Sequence, residues 1–306
     1  MKRTLFLIVI MMTLSIRALA EDEWHWDRSI QPYSLEEDEE AALKGKVNPL
    51  PLVVKFPNGL IVDWKKGVIV VRGQEFITGK TTPQNKNLIE AGAAYNAKIK
   101  MNNLIDEFRI DRTRRLADLF EGSYKLKARI KDLIMSRSKV IHRKYWEGKK
   151  ILEVTITLKM FGKDSLSEAL YWSLFYWENP WDKYYPAYKP PTSESYTGLI
   201  IDARGLDVEP AFLPRIVNES EESLYRDKYV KYDIVVNEGL VLYLDDIDNA
   251  ILNQRIGRNP LIVKAITKVK SAYRTDVILG EEDEKKLKEA DKQGKFLKYL
   301  RAVIVI

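Results

Sequence analysis

One run of alternating side chains constrains the fold of this 306-residue chain more than any other feature. Between residues 152 and 160 apolar and polar side chains alternate strictly, and the apolar set is Leu152, Val154, Ile156, Leu158 and Met160. A strand places successive side chains on opposite faces. The run therefore predicts a strand with one face in a core, in a sheet that packs that face against a second layer.

Helical periodicity in the same half of the chain predicts that second layer. Apolar residues recur three or four apart over residues 88–108, 116–120 and 126–134, which is typical of helices with one buried face. Short apolar runs over residues 52–64 and 68–71 precede them and favour strands. We therefore predict an α+β fold in which long helices pack on a small antiparallel sheet.

Beyond residue 195 the pattern changes to short strand candidates with one late helix. Strands are predicted over 199–203, 211–217, 229–236, 241–244, 261–267, 276–279 and 301–306. A charged helix is predicted over 281–299. The second half is therefore expected to form its own mixed-sheet α+β domain.

The amino-terminal 20 residues have the pattern of a secretory signal. Lys2 and Arg3 precede an apolar stretch over residues 4–16, and small residues follow up to Ala20. The stretch is shorter than the roughly 20 apolar residues that cross a bilayer, so a membrane anchor is the less favoured alternative. We expect a periplasmic protein, cleaved after Ala20, with no transmembrane span in the mature chain.

The absence of cysteine restricts the chemistry of the chain. With no Cys and two His, disulfides, thiol nucleophiles, iron–sulfur clusters and thiolate zinc sites are excluded, and little remains for a histidine-built metal centre. We predict no catalytic residues, no cofactor and no metal. The formal net charge of +6 does not by itself indicate a partner class, and an exported chain is not expected to bind nucleic acid.

Composition divides the chain into five predicted segments. They are a signal peptide (1–20), an acidic arm (21–48), a first α+β domain (49–165), an aromatic and proline-rich linker (166–195) and a second α+β domain (196–306). Residues 21–40 hold nine acids and one base. Such an acidic run is either solvated or docks on a basic surface.

The linker contains the best candidates for partner binding. Four aromatic residues stand there among prolines and charges: Trp177, Trp181, Tyr184 and Tyr185. Trp and Tyr combine a large apolar face with a polar handle, so they suit protein contacts and sugar stacking alike. We predict that these four bind a partner, with packing between the domains as the alternative. Packing is the favoured interpretation for Trp172, Phe175 and Tyr176.

Carboxylates that follow predicted strands are the candidate catalytic residues under the alternative interpretation, in which the protein is a hydrolase. Asp202 and Asp245 could act as an acid and a base in glycan hydrolysis, which requires two carboxyl groups at a fixed separation. The simpler interpretation is structural. Asp202 would pair with Arg204, while Asp245 and Asp246 would begin a short helix and offset its dipole.

Residues 98–150 form a strongly basic region, with 16 bases and seven acids. No RNA-reading motif with interleaved aromatic residues accompanies it. Outside the cytoplasm the available polyanions are lipid headgroups, lipopolysaccharide phosphates and acidic protein surfaces.

The first half of the chain resembles the lipoprotein-20 family and the amino-terminal domain of flagellar assembly protein T. The resemblance covers residues 50–162 and is carried by Asp63, Trp64, the run 68–73, an alanine-rich helix, a second helix and a paired hairpin. It implies a non-catalytic periplasmic or outer-membrane-associated protein, in several relatives a ring or collar component of the flagellar motor. This chain lacks the lipidated Cys of the lipoprotein members, so a location at the membrane would need a protein partner.

Further strings in the second half resemble a segment that recurs in uncharacterised bacterial envelope proteins. They are residues 197–205, 210–211, 214–216 and 258–265. Together, these features predict a non-enzymatic structural or scaffolding protein of the bacterial cell envelope, with a flagellar ring or collar component as its most specific form. Expected partners are envelope or flagellar proteins, or peptidoglycan, and a homo-oligomer or larger assembly is expected. A peptidoglycan-acting hydrolase and a glycan-binding module remain the alternatives.

Overall fold

Two β-sheets with their helices organise the part of the chain that the structure describes. The computed structural model describes residues 52–78, 82–175, 188–225 and 232–306, and all of these belong to one compact unit. The first sheet is antiparallel throughout, and the second is mixed. The predicted α+β class, an antiparallel sheet with helices followed by a mixed sheet, is confirmed.

The first sheet is built around the alternating run. Its strands are β1 (Val53–Lys55), β2 (Ile61–Asp63), β3 (Val68–Phe76), β4 (Lys139–Trp146) and β5 (Ile151–Lys159), in the order β1-β2-β3-β5-β4. Strand β5 lies between β3 and β4 and pairs with both. The apolar set of the run is fully buried, as the alternation predicts.

The helices of the first half are α1 (Pro83–Leu104), α2 (Leu116–Gly122), α3 (Tyr124–Arg137) and α4 (Leu166–Phe175). Helix α1 packs on β3 and β5 and covers one face of the sheet, α3 packs on α1, and α2 and α4 pack on α3. Helix α1 crosses β3 at Gly73, where an added Cβ would lie 2.3 Å from the backbone nitrogen of Ala97. Because only glycine permits that approach, Gly73 marks the face of β3 that α1 covers.

The second sheet has seven strands in the order β8-β7-β11-β10-β6-β12-β9. They are β6 (Gly198–Asp202), β7 (Ile216–Val217), β8 (Ser223–Tyr225), β9 (Leu242–Leu244), β10 (Pro260–Lys268), β11 (Val277–Leu279) and β12 (Ala302–Val305). Its helices are α5 (Tyr232–Glu238), α6 (Ile247–Ile251) and α7 (Glu281–Gly294). Strands β10, β6, β12 and β9 run parallel as neighbours.

Two predicted strands of the second half differ from the structure. The strand predicted over 229–236 is wrong for residues 232–236, which lie in α5. Its valines favour a strand, but Gly239 at φ 71° donates its backbone N–H to Val235 and closes a helix. Of the strand predicted over 211–217, only Ile216 and Val217 pair with neighbours, because Pro214 cannot donate to a ladder.

The two sheets meet through an aromatic cluster. The ring of Trp64 stacks on Phe108 at 5.8 Å and meets Tyr243 edge-on at 5.5 Å, measured between ring centroids. Phe212 lies against both Phe108 and Phe161, at 6.4 and 6.3 Å. Aromatic pairs at these separations add to the free energy gained by burying their area. The cluster therefore joins elements from both halves of the chain.

Arg255 is a buried cation that ties three segments of the second half together. Its guanidinium donates hydrogen bonds of 2.7–2.8 Å to the carbonyl oxygens of Leu300, Glu238, Gly239 and Leu240. Burial lowers the pKa of Arg255, but an arginine keeps its charge. The guanidinium thus donates to backbone carbonyls at the end of α5 and before β12. Of these, Leu240 also accepts from the Tyr225 hydroxyl, and Leu300 also accepts from the backbone N–H of Ala302.

We expect Arg255→Met to lower the free energy of unfolding by about 3 kcal/mol, because four buried hydrogen bonds are lost and the carbonyl groups of Glu238 and Gly239 lose their side-chain donor. Guanidinium denaturation followed by circular dichroism measures the change. The matched control is Arg258→Met, since Arg258 is exposed and should change stability by less than about 0.5 kcal/mol. Equal stability of both variants would show that the Arg255 hydrogen bonds contribute nothing net.

Candidate functional site

Three apolar side chains form a row across the end of the first sheet, in which a half-buried residue lies between two exposed ones. Phe76 of β3 and Trp146 of β4 are both in register with Ile151 of β5. Phe76 is 68% exposed and Trp146 is 39% exposed. Because Gly73 faces α1 and side chains alternate along β3, Phe76 lies on the face that α1 leaves uncovered. We call Phe76, Ile151 and Trp146 the sheet-end row.

Cations and hydrogen-bonding groups adjoin this row. The ammonium groups of Lys144 and Lys149 lie 4.3 and 5.8 Å from the ring centroid of Trp146, within the range of a cation–π interaction. In the next cross-strand row, Gln74 Nε2 donates to Glu153 Oε2 at 2.7 Å. The sheet-end row is therefore an apolar strip with a polar margin, which is the composition of a protein interface.

A groove lies beside β3, where β2 no longer pairs with it. Ile61 and Val70 are the last partners of the β2–β3 ladder, so among the described strands the backbone of β3 beyond Val70 forms a sheet edge. The Asn96 side-chain amide donates to the carbonyl oxygen of Gln74 at 2.9 Å and satisfies one edge group. The groove encloses about 430 Å³ and is lined in part by Ile61, Gln74 and Asn96.

The predicted partner-binding residues Trp177, Trp181, Tyr184 and Tyr185 lie outside the described residues, as do Tyr176, the predicted signal peptide and the predicted acidic arm. Their role stays a prediction. Just before them, Phe175 is buried, and Trp172 packs at 5.9 Å on the ring of Tyr232. Trp172 nevertheless keeps nearly half of its surface exposed. The end of α4 thus packs against α5, from the second half of the chain.

The structure gives each candidate catalytic carboxylate a local partner. Both Asp202 oxygens accept hydrogen bonds of 2.8 Å from Arg204, as the structural interpretation predicts. Asp245 pairs instead with Lys65 Nζ at 3.0 Å. The Asp246 side chain accepts from the backbone N–H of Asp248 and caps α6.

Two further properties bear on the hydrolase alternative, namely the distance between the strands that carry Asp202 and Asp245 and the pKa of Asp202. Asp202 and Leu244 are both in register with Val305 of the intervening strand β12, so their backbones lie about 10 Å apart. The side-chain hydrogen bond from Arg204 lowers the pKa of Asp202. A glycosidase acid needs a raised pKa, so Asp202 has the charge state of a base or an ion-pair partner.

The buried charges between the two sheets also form ion pairs with one another. Asp276 is fully buried, and its Oδ2 lies 2.8 Å from Arg215 Nε and 3.9 Å from Arg112 Nε. Arg112 pairs in addition with Glu221 at 2.9 Å. Arg112 and Arg215 line a cavity of about 320 Å³ together with Arg114, which pairs with Asp111. Since each of these arginines has a carboxylate, the cavity has no surplus of positive charge.

Within residues 52–78, 82–175, 188–225 and 232–306 the chain has neither a candidate metal site nor a candidate membrane span. In these ranges, no three His, Asp or Glu side chains are grouped so that they could hold a metal ion. None of the helices there combines the length and the apolar content that a bilayer crossing requires. His142 is a half-buried residue of β4 and is in register with Thr155.

One comparison with known proteins finds a match in the second half of the chain. A family described as the second domain of Treponema pallidum Tp0624 matches residues 198–306, a little over a third of the chain. The match begins at the first residue of β6 and includes every strand of the second sheet. No curated protein matches the chain. The matched family does not extend over residues 50–162, so the resemblance of that region to the lipoprotein-20 family stays a prediction.

We expect Arg204→Gln to raise the pKa of Asp202, because the main hydrogen-bond donor to the carboxylate is removed. Carboxyl carbon NMR signals followed against pH measure this shift, and Arg258→Gln is the control. A lowered folded-state pKa stabilises the fold above the pKa of the unfolded chain, and this contribution is lost as the pH falls through the folded value. The contribution is small because the pair is exposed. An unchanged titration of Asp202 would contradict the assigned cause.

Proposed function

We propose that the protein is a non-enzymatic scaffold of the bacterial cell envelope, exported with cleavage after Ala20, which binds partner proteins through the sheet-end row. The observation that carries the proposal is the exposure of Phe76 and Trp146 on either side of Ile151. Single exposed apolar residues are ordinary on a protein surface. Three in register on one rigid sheet form a contiguous patch, which marks interaction sites.

The composition of the patch supports a protein partner. Binding energy in protein interfaces is concentrated in a few aromatic and arginine side chains surrounded by polar groups that exclude water. Phe76 and Trp146 would be the aromatic centre, while Lys144, Gln74 and Glu153 would form the polar margin. The adjoining β3 edge offers backbone groups to the same partner. A second copy of the chain is the first partner to test, because most soluble oligomers are homo-oligomers.

The surroundings of the carboxylates support a scaffold over a hydrolase. A catalytic carboxyl pair must act on substrate, whereas Asp202, Asp245 and Asp246 are held by Arg204, Lys65 and the α6 amino terminus respectively. The match of residues 198–306 to a domain from Treponema pallidum supports a bacterial origin. A flagellar ring or collar is the more specific form of the proposal, and it rests on the resemblance of residues 50–162 alone.

We expect the double variant Phe76→Ser, Trp146→Ser to weaken assembly at least about 30-fold, since each aromatic centre of an interface contributes roughly 2 kcal/mol. Light scattering measures the mass, and crosslinking in cells captures envelope partners. The matched control is Leu252→Ser, because Leu252 is 81% exposed and lies in the second half. A strictly monomeric wild type without any crosslinked envelope partner would refute the proposal, as would unchanged assembly of the double variant.

We expect Asp202→Asn and Asp245→Asn to leave the release of muropeptides from purified peptidoglycan unchanged from the wild-type level, because both carboxylates serve local ion pairs. Chromatography of the soluble products is the measurement. A wild type that releases muropeptides, together with a variant that does not, would establish the hydrolase alternative. Titration with soluble glycans, followed by tryptophan fluorescence, separates the glycan-binding alternative from scaffolding.

A further inference from the structure

Helix α3 carries a concentration of positive charge on its exposed side. Its 14 residues contain five cations and the single acid Asp132. The cations are Lys125, Lys127, Arg129, Lys131 and Arg137. All of them are exposed, whereas the apolar residues Leu126, Ile130 and Ile134 are buried. The helix thus holds its charge towards solvent along a length of about 21 Å.

Four of these cations have no carboxylate partner among the described residues, although the ammonium group of Lys127 lies 5.7 Å from the ring centroid of Phe120. Arg137 lies 3.4 Å from Asp164, but within the described ranges no ion pair involves Lys125, Lys127, Arg129 or Lys131. Helix α7 differs, because its lysines Lys285 and Lys288 pair with Glu281 and Glu284 one turn earlier. The charge of α3 is therefore available to an anionic partner.

An aromatic residue stands at the start of the same exposed face. Tyr124 is 83% exposed, and at 100° per residue it lies about 160° around the helix axis from the buried Leu126. Lys131 and Ala128 follow it on that side, with Lys125 and Arg129 beside them. Tyrosine is enriched where protein meets lipid headgroups, because its ring is apolar and its hydroxyl is polar.

This combination fits a lipid surface better than a protein surface. A specific protein interface needs a well-packed apolar centre that excludes water. Helix α3 offers only Tyr124 as an exposed large apolar residue, beside the half-buried Met135. An anionic lipid surface needs only clustered Lys and Arg side chains on an amphipathic helix. Long flexible cations can each reach a phosphate without a fixed geometry.

We propose that α3 binds the anionic headgroups of a phospholipid membrane and holds the protein against the membrane surface. This inference goes beyond the proposed scaffold function, because it concerns a different surface and does not depend on the sheet-end row. It also gives a chain without a lipidated Cys a direct means of membrane contact, where the sequence alone predicted a need for a protein partner.

The test compares vesicle binding of the full chain and two charge-matched variants. The α3 variant carries Lys125→Gln, Lys127→Gln, Arg129→Gln and Lys131→Gln. The control variant removes the same charge from α7 through Lys285→Gln, Lys286→Gln, Lys288→Gln and Lys292→Gln. Sedimentation is measured with phosphatidylcholine vesicles and with vesicles that also contain phosphatidylglycerol. The full chain includes the apolar residues 4–16, and an apolar segment can bind vesicles whatever their charge. The quantity compared is therefore the partition coefficient for the anionic vesicles divided by that for the phosphatidylcholine vesicles.

We expect the wild type and the α7 variant to prefer the anionic vesicles, and the α3 variant to lose at least about tenfold of that preference. The preference should also fall as salt is raised. Thermal unfolding checks that both variants fold, which is expected because the substituted side chains are exposed.

Two results would overturn the inference. One is an α3 variant that prefers anionic vesicles as strongly as the wild type. The other is a wild type that ignores vesicle charge but binds soluble polyglutamate through α3, which would assign this face to an acidic protein. Neither result bears on assembly through Phe76 and Trp146, so failure of this inference is distinguishable from failure of the scaffold proposal.

Discussion

The aromatic cluster between the two sheets is the contact on which the arrangement of surfaces depends. Trp64 follows Asp63, whose partner in the ladder is Val68 at the start of β3, so the cluster lies at that end of the first sheet. The sheet-end row lies at the other end of β3, at Phe76, about 26 Å away at the rise of a strand. Because the second sheet packs at one end and α1 covers one face, the far end of the other face leaves Phe76 and Trp146 exposed.

The charged side chains fall into two groups, buried ones that have partners inside the fold and exposed ones that water solvates. Buried Arg255 is fully used by backbone carbonyls, and buried Asp276 by Arg215 and Arg112. A buried charge without such partners would cost several kcal/mol. The four exposed cations of α3 that have no carboxylate partner in the described residues carry no such penalty, because water solvates them, and so they can stay without one until an anionic surface approaches. The proposed binding functions thus belong to side chains that the fold does not need.

Local patterns predicted much of the fold but none of the sheet-end row. The alternation in β5 and the helical spacing of Leu126, Ile130 and Ile134 each reflect one buried face, which a linear sequence records directly. The segment 232–236 was mistaken for a strand because its valines favour β structure, although Gly239 closes a helix there. Cross-strand neighbours depend on register between distant segments, and so Phe76, Ile151 and Trp146 could not be grouped from the sequence.

The sequence by itself determined the α+β class, the buried faces of β5 and α3, the pairing of Asp202 with its near neighbour Arg204 and the absence of cysteine chemistry, because these follow from composition and from short-range patterns. Only the tertiary structure decided what the remaining groups do. It paired Asp245 with Lys65, placed Phe76 beside Trp146 across β5, and left the α3 cations exposed. The physical reason is that pairing, exposure and register depend on contacts between residues far apart in the chain, which no local pattern encodes.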